Sequence, residues 1–276
     1  MIRTNATSNL PSTLFLLVLI VNFVAIYHVK DQTAQYILLF TLGMLLVGAL
    51  EAVHQATHNN LFSMAWINQI IGTLLGLVLL LNFVRYKAFH ANHHAHAATY
   101  LDPERVLYES NDTGSLVALL FAPLFYLGFA LTIQRSDYVA KKRKGAASFN
   151  TALLLVFIVF VLALTVYIPE TMLFMYWLPL ALYAWLDFLL NQAEHYGMRE
   201  LMPGEDPGKA TNNLLLPKLL SVAFLYRNLH RVHHLEPRTP WHMTERVYIE
   251  QGEPGISFYT FFRRYLSEGP RLWGVR

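Results

Sequence analysis

Apolar residues gather into six long runs, at 13–27, 34–52, 65–84, 116–133, 152–168 and 172–190, separated by short polar segments. Each run approaches the roughly 17 to 25 residues that carry a helix across a bilayer. The pattern therefore predicts an all-α integral membrane protein. The first run follows a weakly charged stretch without a small-residue cleavage signature, so it is read as a retained helix and not a removed signal peptide. A seventh stretch, 214–226, contains Lys218 and is too short to cross, which predicts an interfacial helix. The Asn5-Ala6-Thr7 sequon is read as a chance match on an inward N-terminus. No internal repeat or linker divides the chain, so residues 1–276 are expected to form one domain.

Composition sharpens this picture. Of the 276 residues 55% are hydrophobic and only 14% charged, against about 25% charged in a soluble domain, and the mean hydropathy is +0.35. Cysteine is absent, which excludes disulfides, thiolate metal sites, iron–sulfur clusters and a cysteine nucleophile together. Any metal must be held by nitrogen and oxygen. The net charge of +3 decides little, and the basic residues cluster beside apolar runs, which gives nucleic-acid binding no support. The unusual number is 12 histidines, nearly as many as the 14 glycines.

Those histidines recur at the spacing of one helical turn, which puts side chains on one helix face. The groups are His54 with His58; His90 with His93 and His94; Asn191 with His195; and His230 with His233 and His234. Each lies where an apolar run meets a polar or basic segment. One histidine pair at a helix end is ordinarily a polar interface pair. Two His-x-x-His-His groups beside a His-x-x-x-His are better explained by a metal site. Neutral imidazole suits iron, zinc, copper and nickel, and nine imidazoles are too many for one four-coordinate zinc. Two metals fit the count: nine histidines and a weaker ligand such as Asn191 leave positions open for oxygen. Asp187, Glu194, Glu51 and Asp102, in that order, are candidates to accept the second imidazole N–H and fix its tautomer. His28, His96 and His242 lack such company and are assigned to an outer helix end, to the vicinity of the second group and to a loop.

If the clusters share one site, an even number of crossings separates them. The basic run Lys141-Lys142-Arg143-Lys144, with Arg85 and Lys87, marks their face as cytoplasmic by the positive-inside rule. The turns Val29-Lys30-Asp31 and Pro169-Glu170-Thr171 are short and nearly neutral, as outer turns should be. Four spanning helices in two hairpins follow, with the runs at 65–84 and 116–133 interfacial or re-entrant and Pro123 breaking the second.

The ordered set His54-Gln55-Ala56-Thr57-His58, His90-Ala91-Asn92-His93-His94 and His230-Arg231-Val232-His233-His234 resembles the three histidine boxes of the membrane fatty acid desaturase and hydroxylase superfamily. Asp102-Pro103-Glu104, Leu235-Glu236-Pro237 and Pro240-Trp241 agree with many relatives, and the resemblance covers roughly 51–241. It implies four spanning helices under a cytosolic cap, two irons held by the nine histidines, O2 as co-substrate and a lipid-like substrate. A separate electron donor of ferredoxin, rubredoxin or cytochrome type is also implied. Asn191-Gln192-Ala193-Glu194-His195-Tyr196-Gly197 is similar to two branches at once. The Asn-x-x-x-His spacing looks like stearoyl-CoA-type desaturases, in which the Asn reaches iron through water; Glu-His-Tyr-Gly looks like the alkane monooxygenases. The second box lacks the extra Gly and Glu of the alkane enzymes. Desaturation of a fatty acyl or similar chain is therefore favoured, with hydroxylation or ketolation of an alkyl chain or carotenoid as the alternative.

Two readings from other classes compete. A membrane metal transporter would place its ligands near mid-membrane, whereas these boxes sit at helix ends beside Arg85, Lys87 and Arg231. A bis-histidine haem carrier needs ligands on opposite haem faces, and paired histidines one turn apart point at the same spot.

Overall fold

The structure, a computed structural model, describes residues 9–105, 115–202 and 205–269; the Asn5 sequon lies outside them. Among the described residues four helices are long and apolar enough to cross a membrane. Helices α1 (Leu10–His28) and α2 (Gln32–Thr57) form the first hairpin. Asp31 in the turn caps α2, its side chain accepting from Ala34 N–H at 2.8 Å. The second hairpin pairs the helix Lys144–Tyr167, preceded by a 3₁₀ turn at Lys141–Arg143, with the span Pro169–His195. Pro169 opens the latter, at a helix position that has no hydrogen-bond use for an N–H. A π turn at Leu173–Trp177 interrupts it.

Between the hairpins, the run at 65–84 does not form one rod. Helix α3 (Ala65–Val78) has 14 residues and reaches about 21 Å, short of the roughly 30 Å hydrocarbon core. The chain then turns through a left-handed Leu80 (φ 58°) and bends by 101° into α4 (Phe83–His96). The fold-back is tight enough that a Cβ on Gly72 would collide with the Phe83 ring. The run at 116–133 breaks at Phe121 into α5 (Ser115–Leu120) and α6 (Ala122–Arg135), with Pro123 in the first turn of α6. With these in place, the helix Lys144–Tyr167 is α7 and the span Pro169–His195 is α8. In α1 and α7 only 22% and 17% of the apolar window is buried, against 61% in α2 and 44% in α8. Helices α2 and α8 therefore form the inside of the bundle, and α1 and α7 present Leu17, Ile20, Val159 and Val166 outward.

The remaining chain forms a cap of short elements. Strand β1 (Leu214–Leu215) pairs in parallel with β2 (Ile256–Ser257), Leu214 opposite Ile256. Around them lie α9 (Lys218–Ala223), α10 (His230–Leu235), α11 (Thr244–Gln251) and α12 (Phe258–Glu268). Here the sequence expectation needs correction: 214–226 is not one interfacial helix. Only six of its residues are helical. Pro217 sets the start, and left-handed Leu225 and Tyr226 (φ 51° and 58°) end it and turn the buried chain inward.

Candidate metal centre

Four elements deliver the nine histidines. His54 leaves the last turn of α2 and His58 caps that helix; His90, His93 and His94 project from α4; His195 ends α8; His230, His233 and His234 come from α10. A six-residue helix is not stable alone. Contacts outside α10 hold it: Arg231 pairs with Glu253 and donates to the Gly208 carbonyl, and the Asn213 side chain accepts from Val232 N–H at 3.4 Å.

The imidazoles sort into two groups whose ligand atoms converge: His54, His58, His90, His94 and His233 in one, His93, His195, His230 and His234 in the other. In the first, His54 Nε2 lies 2.8 Å from His90 Nε2 and 3.0 Å from His233 Nε2, and His94 Nε2 lies 2.9 Å from both His90 and His233. In the second, His234 Nε2 is 2.9 Å from His230 and 3.2 Å from His93. Two atoms bound at right angles to a metal at about 2.1 Å lie about 3.0 Å apart, so the spacing fits imidazoles around a shared ion.

The outer nitrogens explain why the inner ones face inward. His54 Nδ1 is 2.8 Å from Glu51 Oε2, His93 Nδ1 is 2.8 Å from Asp102 Oδ1, and His195 Nδ1 donates to the Ala210 carbonyl at 2.8 Å. Glu104 reaches His90 Nδ1 at 3.5 Å and His93 Nδ1 at 3.7 Å, touching a member of each group. An acceptor at Nδ1 holds the proton there and leaves the Nε2 lone pair for a cation. Several such lone pairs within 3 Å repel unless a positive ion lies among them. Burial is the main force pushing protonation of His58 down to about 3, and it drives His230, His233 and His234 well below the ordinary imidazole range, with neighbouring imidazoles adding to the effect. These rings are neutral, which is the ligand form. Burial alone would raise Asp102, but His93 and the backbone N–H groups of Ala98 and Glu104 outweigh it and hold the carboxylate ionised.

Asn191, Asp187 and Glu194 sit elsewhere, around Arg227. The guanidinium donates Nη2 to Asn191 Oδ1 at 2.8 Å, Nε to Glu194 Oε1 at 3.0 Å and Nη1 to Asp187 Oδ1; Asn191 Nδ2 in turn donates to Asp187 Oδ2 at 3.0 Å. The Asn191 oxygen thus faces a guanidinium, outside both imidazole groups. A cavity of about 30 Å³, room for about one water, separates this network from His54, His90 and His230, with Tyr86 and Phe129 in its wall. His28, His96 and His242 lie outside the two groups.

The sequence assigned no site role to Glu104, noted only within Asp102-Pro103-Glu104, or to Arg227. Glu104 carried a weak signal, two residues past Asp102. Arg227 carried none, because its partners lie more than 30 residues upstream.

Fold and site together define a class: an integral membrane protein with a buried polyhistidine centre able to hold metal. The family model for fatty acid desaturases matches residues 32–261, most of the chain, and the protein belongs to that family. Comparison with curated proteins gave no match.

Proposed function

We propose that the protein is an O2-dependent di-iron desaturase of a fatty acyl or other lipid-like chain, working on the cytoplasmic face of a membrane. The observation that carries the reading is the convergence of nine Nε2 atoms into groups of five and four, with Nδ1 atoms of His54, His90 and His93 on carboxylates and that of His195 on a backbone carbonyl. Iron bound there would supply the redox chemistry that reduces O2 and draws hydrogen from an unactivated methylene, which no side chain could do alone.

The chain's own part is position and charge. His54, His58, His90, His94 and His233 would hold one iron and His93, His195, His230 and His234 the other. Glu51, Asp102 and Glu104 orient rings and offset part of the metal charge. Asn191 would act only through water, and its bond to Arg227 sets where that water could stand. Tyr86, Phe129 and Leu50 border the space beside the imidazoles and limit solvent there. Desaturation balances if a pair of substrate carbons gives up two hydrogens, a separate donor gives two electrons, solvent gives two protons, and O2 leaves as two waters.

Product mass tests the reaction. Membranes expressing the protein, supplied with acyl lipids, should yield a product lighter by two hydrogens. A product heavier by one oxygen would assign the protein to the hydroxylating branch, and no product with iron-loaded protein and several electron donors would contradict an oxidase of lipid chains.

A further inference from the structure

Seven of the nine imidazoles are buried; only His58 and His94, both of the five-histidine group, are half-buried. The centre therefore comes nearest to its surroundings at His58 and His94, and a groove runs along a different face of α4, lined by Lys87, Ala88, Ala91 and Ala95 and by none of the histidines. The groove holds about 360 Å³ between α4 and the segment leading into α7, and its floor is made of Ala88, Ala91 and Ala95, whose small side chains let a partner come close to the helix that carries His90, His93 and His94. Its polar rim carries one sign of charge. Lys87 and Arg143 line it, and among the described residues no carboxylate does. Lys87 also reaches the amide of Asn59, the residue after His58, at 3.4 Å, so the positive rim runs up to the edge of the histidine cluster. Lys141 and Lys142 extend it, exposed in the adjoining 3₁₀ turn.

We propose that this groove is the docking surface for the electron donor, and that the donor is a small, acidic one-electron carrier protein. The proposal rests on the di-iron reading above. Each docking passes one electron from the reduced carrier to the centre, so the carrier is oxidised by one electron and the centre reduced by one; two dockings supply the pair that a turnover needs. Charge complementarity favours an acidic partner, because single-sign rims act mainly by steering encounter and their effect weakens with salt. The same cations could face anionic lipid headgroups, which the test separates.

The full-length protein, iron-loaded and held in bilayer discs of zwitterionic lipid, is mixed without oxygen with a reduced acidic [2Fe–2S] ferredoxin, and ferredoxin oxidation is followed optically. The oxidation rate should fall at least tenfold as salt rises from about 0.05 to about 0.5 M. The double variant Lys87→Glu with Arg143→Glu should lower the low-salt rate about tenfold, while its iron content and its reduction by dithionite stay at the parent level. An unchanged rate in the variant would overturn the proposal. So would a deficit that appears only when the discs contain anionic lipid, since that outcome assigns the groove to headgroups. Protein that binds no iron, or whose iron dithionite cannot reduce, overturns the di-iron reading and the docking proposal together, and is told apart by the metal assay alone.

Discussion

At the scale of single residues, the centre depends on groups that never face the proposed metal. Asp102 accepts from His93 and is itself held by two backbone N–H groups, so Asp102→Asn removes the charge and leaves the ring free to adopt the other tautomer. Loss of such a partner typically costs 10- to 100-fold in metal affinity, and a loss of about that size is expected for Asp102→Asn. Iron retained after a timed chelator challenge measures it; retention equal to the parent would show that Asp102 does not orient the ligand. Arg227 is a different case. It is buried with Asp187 and Glu194, and Arg227→Met would strand both carboxylates, at a cost of about 3–5 kcal/mol. Denaturant unfolding in detergent should register that loss, with Arg227→Lys recovering part of it. The nine histidines were legible because a turn's spacing is a local property. The Arg227 network was not, because its members join from separate elements, and the spacing of Asn191 and His195 gave no sign that the Asn191 oxygen accepts from a guanidinium.

At the scale of elements, the centre needs α4 held at a steep angle to α3, which brings three of its histidines against those of α2 and α10. Gly72 permits that bend by letting the Phe83 ring lie on α3. Gly72→Val would force the ring away and should cost about 1–3 kcal/mol by overpacking, with iron content falling alongside the unfolding temperature because α4 moves. A variant that loses stability but keeps its iron would show that the bend and the centre are independent. The sequence anticipated that 65–84 and 116–133 would not cross as single rods, because histidine groups sharing one face need an even number of crossings between them and Pro123 is a local break; length alone would have let both runs span. It misread 214–226, where an apolar run stands for a two-residue strand, a short helix and a buried left-handed turn. Hydropathy cannot distinguish chain that faces lipid from chain buried in a cap.

At the scale of the whole molecule, burial divides the four long helices into an inner pair and an outer pair, which is what a lipid-embedded bundle requires. Val159, on the outer face of α7, is 66% exposed. Val159→Lys near the middle of that helix should cost about 2.5–3.5 kcal/mol of membrane insertion, read as loss of carbonate-resistant membrane fraction. The same substitution would be nearly silent if α7 faced water.

All of these scales meet in one proposal, that four separated stretches of chain converge to bind two irons through nine imidazoles. The most direct measurement is iron content with Mössbauer and X-ray absorption spectra on protein purified from iron-replete cells. The account predicts two irons per chain with nitrogen and oxygen neighbours only, falling sharply in His90→Ala and His234→Ala, one from each group. A single iron per chain, or protein that folds and stays iron-free under reducing preparation, would contradict it.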